Sequence, residues 1–392
     1  MSVNRCPACQ STRLQVFHEQ ASIPAHSCLL LPTREEALTY PRGSLRLAAC
    51  QACGFITNTI FDPSLNAYGS EYEETQGFSP RFLAFARSLA QRWVTRYGLR
   101  RRDIVEIGCG KGEFLDIICE LGDNRGVGID PSVRPERLPS ASRQRLRFLP
   151  ELYAEHHRDL PADAIICRHT LEHIHSVADF VGGIRRTIGD RRDTVVLFEV
   201  PDVLRVLDEI AFWDIYYEHC SYFTPGSLAR LFRRSGFEVL NVELDYDDQY
   251  ILLEARPIDG ATEPRMPLED DLARTLASVE RFVERNGKAL EARRTVLRRY
   301  QAEGKRVTIW GAGSKGVAFL TTLGDETGIE VAIDINPNKH GMYLAGTGQQ
   351  IVAPEYLVEY RPDVVLIMNP IYTDEIRARL DGLGVTAELV PV

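Results

Sequence analysis

The chain of 392 residues lacks an apolar core near its start, so "MSVNRCPACQ" does not read as a secretory signal. No later run approaches the roughly 20 apolar residues that a bilayer-spanning helix needs. These absences predict a cytoplasmic protein without a membrane partner. A surplus of positive charge is missing too: 46 Lys and Arg stand against 55 Asp and Glu, a net charge of -9. That balance argues against nucleic acid as a partner, since binding to phosphate backbones needs a basic face. No segment is low in complexity and no solenoid repeat recurs. The length predicts two or three domains.

What is present begins with cysteine. Nine cysteines in a chain without an export signal point to metal ligands and free thiols rather than disulfides. Cys6 and Cys9 form one C-x-x-C, and Cys50 and Cys53 a second. Two such knuckles can converge on a tetrahedral four-thiolate zinc site, which is closed to water and therefore structural. Unligated hairpins or a redox dithiol are the alternatives. Cys28, between the pairs, is expected to be a buried thiol.

The stretch "RRDIVEIGCGKGEFLDIICELG" runs from an apolar strand at 104–107 through Gly108, Gly110 and Gly112 into a helical pattern. Glycines there let a ligand approach unpaired amides at a helix N-terminus. Asp130 ends the next strand, "GVGID", where a carboxylate can accept from ribose hydroxyls. A dinucleotide site or a mere tight turn would share these features. The form E-x-G-x-G-x-G, led by Glu106, resembles motif I of class I S-adenosylmethionine-dependent methyltransferases. Strands at "RLRFL", "DAIICRH" and "TVVLFEV", and a closing pair "FEVLNVEL" and "YILLEAR", complete an expected seven-stranded sheet. Gly108, Gly110, Gly112, Asp130 and Glu106 are the candidate cofactor residues, with Phe148 against the adenine and Cys109 as a small turn residue.

Ligands of open α/β sheets lie beyond the carboxyl ends of the strands, and two clusters fall there. "HTLEHIHSV" follows the fourth strand, with His169 and His175 expected as solvated or capping side chains. "WDIYYEHCSYF" follows the fifth. Phe212, Trp213, Ile215, Tyr222 and Phe223 are expected as core or pocket wall, and Thr224-Pro225 as the start of a helix. Methylating carbon needs a base beside a carbonyl and a donor to the enolate oxygen, for which His and Tyr are suited. Methylating oxygen needs less.

Further on, a charged helical connector spans 259–304, with an apolar stripe of Leu272, Leu276, Val279, Phe282 and Val283. Then "RVTIWGAGSKGVAFL" repeats strand, glycine turn and helix, with Gly311, Gly313 and Gly316 followed by Asp334. Taken alone this is a dinucleotide fingerprint. With one further clear strand, "DVVLIMNP", the unit reads as a mononucleotide-sized half suited to a nucleoside diphosphate, Lys315 and the glycine turn facing the pyrophosphate and Asn369 nearby. A degenerate domain that only packs is the other possibility.

In this order the motifs resemble the three-domain sugar C-methyltransferases that act on nucleotide-linked 4-keto-deoxyhexoses. The resemblance covers the whole chain and implies an α/β protein in four segments. These are a zinc-ribbon module at 1–68, a class I methyltransferase Rossmann-like domain at 69–258, the connector, and a C-terminal Rossmann-like domain at 305–392. It implies S-adenosylmethionine and a structural Zn2+ as cofactors, and a nucleotide diphosphate sugar as the small-molecule partner. The family's I-Y-x-E-H segment matches Ile215, Tyr216, Tyr217, Glu218 and His219, which implies His219 as the base at C-3 with Tyr216 and Glu218 positioning it and the sugar. Its T-L-x-H-I segment matches 170–174, and its tyrosine before the central domain matches Tyr72, with Tyr68 nearby. His173 and Tyr72 would then bind the keto sugar or share the proton transfer, with no metal in the chemistry. The turn Gly-Cys-Gly-Lys-Gly departs from the Asn-Asp pair of those sugar enzymes, which leaves oxygen methylation of a sugar or another small acceptor as an alternative; an oxidoreductase whose C-terminal Rossmann unit holds NAD, and a catalytically silent binding protein, are the others.

Overall fold

The computed structural model describes residues 3–66, 69, 71–259, 266–324 and 327–392; Tyr68 lies outside them. Its first sheet is antiparallel, with β1 (Leu14–Pro24), β2 (Arg42–Cys50) and β3 (Ile56–Asn58). Next come β4 (Asp103–Ile107), β5 (Arg125–Ile129), β6 (Leu146–Leu149), β7 (Ala164–Arg168) and β8 (Val195–Pro201), all parallel. β9 (Ser221–Tyr222) precedes β10 (Phe237–Asp245) and β11 (Tyr250–Pro257), an antiparallel pair that extends the same sheet through β8. The seven strands lie in the order β10-β11-β8-β7-β4-β5-β6. Parallel strands covered by helices on both faces are near-continuous apolar runs, and every residue of β7, Ala-Ile-Ile-Cys-Arg, is buried, the one charged residue at its carboxyl end.

Helices at Pro80–Tyr97, Glu113–Gly122, Val177–Ile188 and Pro225–Arg234 flank this sheet. Their ends follow the local chemistry. Ser79 accepts from the Phe82 amide at 3.2 Å, and Gly98 closes the same helix in the left-handed region at φ 60°. Thr224 accepts from the Ser227 amide, and Pro225 takes the first helical position, as the sequence predicts. The connector helix, Leu272–Ala302, buries Thr275, Ser278, Val279 and Phe282 as its stripe. Val283 is 55% exposed, because this three-four spacing turns it one step past the stripe.

The C-terminal unit corrects the sequence reading. β12 (Val307–Trp310), β13 (Val331–Ile333), β14 (Gln350–Val352), β15 (Val364–Ile367) and β16 (Glu388–Pro391) form a parallel sheet in the order β14-β13-β12-β15-β16. The overlooked strands, β14 and β16, are the two edges; one is three residues long and the other ends in proline, so neither carries the apolar run that marks a central strand. Among the described residues no helix is long and apolar enough to cross a membrane.

The first sheet is completed from far along the chain, since β9 pairs with β3. Beside that seam Tyr217 lies over Gly43 of β2 and accepts from the Asp62 amide at 2.9 Å. A Cβ at position 43 would fall 2.1 Å from the Tyr217 ring. Gly43→Ala is expected to overpack this contact and cost about 1–3 kcal/mol. Thermal denaturation checks it: a variant as stable as the parent would mean that the seam is looser than described.

Candidate active site

The glycine turn after β4 adopts the left-handed region at Gly108 (φ 67°), Gly110 (φ 52°) and Gly112 (φ 86°). A Cβ at Gly108 would meet the Thr170 hydroxyl at 2.0 Å, and one at Gly110 the Glu74 carboxylate at 2.5 Å. The turn is thus a cradle that side chains would fill. Asp130, at the end of β5, braces it: its Oδ2 accepts from the Gly110 amide at 3.0 Å, and its Oδ1 from the Ser132 amide at 2.6 Å. Lys111, buried beneath, donates to the Tyr72 carbonyl at 2.7 Å and the Ser132 carbonyl at 3.1 Å, tying the 72–76 segment across the turn.

Glu106 is 2% exposed and lines the cavity above the turn. Burial pushes its carboxyl up to about 8, and the Arg168 guanidinium only partly opposes that. Arg168 itself is committed to Glu199, with bonds of 2.9 and 3.0 Å. Glu199 also holds His169 at 2.6 Å, so His169 is an ion-paired part of the floor and not the solvated side chain expected. Burial alone would lower that imidazole, but Glu199 and Glu172 outweigh it and raise it to about 9. The sequence carries no sign of this pairing, because Glu199 arrives from the neighbouring strand.

One cavity of about 600 Å³ runs from this turn to the second one. Tyr72, His173, Tyr216, His219, Asp130, Gly108 and Gly110 line it, as do Gly311, Gly313, Lys315 and Asn369. Phe148 does not: its ring packs under Gly112 and Gly128, 2.7 and 2.8 Å from where their Cβ atoms would be, so it supports the turn instead of facing an adenine. Gly112 and Gly316 are likewise packing positions, the latter because a Cβ there would strike the Gly311 carbonyl at 2.3 Å. Glu218 is also turned away from the cavity and is 1% exposed. Cys28, a buried thiol as expected, reaches the cavity wall 3.3 Å from the Ser314 hydroxyl.

The second turn repeats the first. Asp334, at the end of β13, accepts from the Ala312 amide at 3.2 Å and the Asn336 amide at 2.8 Å, as Asp130 does from Gly110 and Ser132. Two lysines beside it are already paired: Lys339 with Asp334 at 3.2 Å, and Lys315 with Asp214 at 2.5 Å. Asn369 caps the turn after β15 and exchanges amide hydrogen bonds with Gln249 of the central unit at 2.9 and 3.2 Å.

Between the turns in sequence, the imidazole of His219 lies 4.7 Å from that of His173 and 4.2 Å from the Tyr216 ring, centre to centre. Burial and the His173 ring hold His219 down to about 3, and burial lowers His173 as well. Both are neutral near pH 7. The His173 Nδ1 lies 3.1 Å from the Glu218 carbonyl, which can only accept, so the proton sits on Nδ1 and Nε2 keeps its lone pair. Burial pushes the Tyr216 phenol far up, leaving it a proton donor. Glu172 joins this group: one donor atom each from Glu172, His173 and His219 lie within 4.8 Å of one another, a set that could also take a divalent cation. Glu172 stands in the expected cluster after the fourth strand, but its place beside His219 depends on two loops meeting and gives no sign in the residues themselves.

At the far end of the first sheet, the sulfurs of Cys6, Cys9, Cys50 and Cys53 lie within 4.8 Å of one another, with Cys6–Cys53 at 3.7 Å and Cys9–Cys50 at 3.6 Å. A tetrahedron of thiolates about 2.3 Å from zinc has sulfurs about 3.8 Å apart, so the quartet has the dimensions for that ion.

The raised Glu106 has a measurable consequence. In the folded state it keeps a proton that the unfolded chain has lost above pH 4.5, so stability falls as pH rises from there to about 8. The slope contributed is at most about 1.4 kcal/mol per pH unit. Glu106→Gln is expected to flatten that part of the profile and to raise the melting temperature at pH 9 more than at pH 5. Equal shifts at both values would rule out a buried, protonated Glu106.

A methyltransferase-domain family model matches residues 82–242, and the model of the C-methyltransferase C-terminal domain matches 265–387. C-methyltransferase NovU of Streptomyces niveus is 27% identical over 350 residues, 85% of this chain and 81% of that protein. Among solved structures, 1,6-didemethyltoxoflavin-N1-methyltransferase of Burkholderia thailandensis, with its S-adenosylhomocysteine bound, is 20% identical, with a TM-score of 0.35 over 44% of this chain and 79% of that one. Magnesium protoporphyrin IX methyltransferase of Synechocystis PCC 6803 is 15% identical, with a TM-score of 0.34 over 45% of this chain and 83% of that one. With the methyltransferase-domain match falling on the sheet that carries the Gly108–Gly110 cradle and its Asp130 brace, and a C-methyltransferase match on the unit behind it, the chain is an S-adenosylmethionine-dependent methyltransferase.

Proposed function

We propose that this enzyme methylates carbon C-3 of a nucleotide-activated 4-keto-deoxy sugar through an enolate. The observation that carries the reading is the continuous cavity between two braced glycine turns, with two neutral imidazoles in its wall. One turn suits the methyl donor and the other a nucleoside diphosphate. The C-methyltransferase matches support carbon as the acceptor. When bound, S-adenosylmethionine supplies an electrophilic methyl group, and Gly108, Gly110, Asp130 and Glu106 would hold it.

The rest is the work of side chains in this chain. His219, free of a proton at pH 7, takes one from the carbon beside the keto group. The Glu172 carboxylate within 4.8 Å favours the imidazolium that results. The protonated Tyr216 phenol donates to the enolate oxygen, while Tyr72 and His173 orient the sugar. Gly311, Gly313 and Asn369 would receive the diphosphate, with Lys315 exchanging its Asp214 partner for phosphate oxygen. Glu218 contributes from behind the wall, through its backbone contact with His173. Four thiolates of one structural zinc would hold the first sheet, in the reducing cytoplasm.

Three experiments test this. Calorimetric titration should detect S-adenosylhomocysteine and a thymidine diphosphate, and a preference for NAD over both would defeat the proposal. In deuterated water the enzyme should wash label into C-3 of a 4-keto sugar nucleotide, and His219→Ala should abolish the exchange; persistent exchange would move the base to His173. For the metal, elemental mass spectrometry of the native protein should find one zinc per chain, lost in Cys6→Ser. A second ion surviving that substitution would point to Glu172, His173 and His219 as ligands and against a metal-free base.

A further inference from the structure

The sequence draws no attention to His26, which lies just beyond β1 and is fully buried. Its Nδ1 is 2.6 Å from the Glu218 Oε2. The other carboxylate oxygen accepts from the Ser27 hydroxyl at 2.5 Å and from the Ser314 hydroxyl at 3.0 Å. The His26 ring also packs against that of Tyr72, with centres 5.1 Å apart. We infer that His26 is a positioning residue for the active site, acting through the Glu218 carboxylate to hold the peptide that orients both His173 and His219.

The geometry transmits the effect in two short steps. The Glu218 carbonyl accepts the Nδ1 proton of His173, so the direction of that carbonyl decides which tautomer His173 adopts. The same carbonyl belongs to the planar peptide joining Glu218 to His219, and rotating it moves the His219 backbone with it. Glu218 is ionised: burial pushes its carboxyl up, but His26, His173 and the Ser27 hydroxyl outweigh that and hold it at about 2. An ionised carboxylate shut away from water stays in place only while its donors do. Two of its three donors, His26 and Ser27, are supplied by the segment that leaves the cysteine-anchored sheet. The first sheet is thereby part of the catalytic apparatus, although its cysteines lie at the opposite end of β2 from Gly43 and Tyr217.

The inference rests on the proposed enolisation only for its kinetic readout. In the full-length protein labelled with ¹⁵N-histidine, one imidazole should give the neutral Nδ1-protonated pattern, identified by its loss in His173→Gln. His26→Leu keeps bulk but removes the donor, and it should shift that signal toward the Nε2-protonated form. It should also slow C-3 exchange by about 10–100-fold, as loss of an outer-shell hydrogen bond commonly does. His26→Asn, which retains a neutral donor near the Nδ1 position, should restore both readouts, and S-adenosylhomocysteine affinity should be the same in all three proteins. An unchanged tautomer signal in His26→Leu, or an asparagine variant as impaired as the leucine one, overturns the inference. Should the parent exchange no 4-keto sugar, the enolisation reading fails while the tautomer measurement still decides the role of His26. If His26→Leu does not bind S-adenosylhomocysteine, Ser27→Ala removes a second donor to the same carboxylate and carries the test with the same two outcomes.

Discussion

A carboxylate with no access to water must find all its donors within the protein, and at Glu218 they come from two parts of the chain, while a third part binds the backbone of the same residue. His26 and Ser27 approach from the first sheet, Ser314 from the second glycine turn, and His173 binds the carbonyl of the same residue from the loop after β7. Losing one donor would strand a buried charge, a penalty of several kcal/mol in general. The three units are therefore locked at this point with little latitude. The cavity wall is built around that lock, and the segment carrying Tyr216 and His219 is pinned on both sides of it, by Tyr217 over Gly43 and by β9 against β3.

The two glycine turns are variations on one construction. In each, an aspartate at the end of the second strand accepts from a turn amide and from the amide two residues after itself, which stiffens a loop that would otherwise be free to move. Both turns sit at carboxyl ends of parallel strands, where helix N-termini and unpaired amides collect. They open into the same cavity because Glu73 joins the units directly. Its carboxylate accepts from Asn336 at 2.9 Å on one side and from Arg137 at 2.7 Å on the other.

Much of the fold was legible in the residues. Glycine spacing announced both turns, apolar runs announced the inner strands, and Thr224-Pro225 announced a helix start. These signals are local, and local sterics decide them. Edge strands β14 and β16 give no such signal, because the one is only three residues long and the other is largely exposed. Spacing along a strand or helix gives a face but not what that face meets, so nothing local announces that Phe148 packs under Gly112 and Gly128 or that Val283 is exposed. His169 read as a solvated side chain because its ion pair with Glu199 joins residues thirty positions apart.

By itself, then, the sequence determined the classes of chemistry: two glycine turns with acids to brace them, cysteines spaced for convergence, and histidines and tyrosines gathered in two loops. Tertiary structure decided which of these meet. It selected His173, Tyr216 and His219 for the cavity and turned Glu218 out of it, and it enlisted His26, Glu172 and Lys111 beside them. The physical reason is that backbone geometry acts over a few residues, whereas burial and hydrogen-bond satisfaction are settled only when distant segments close around the same polar group.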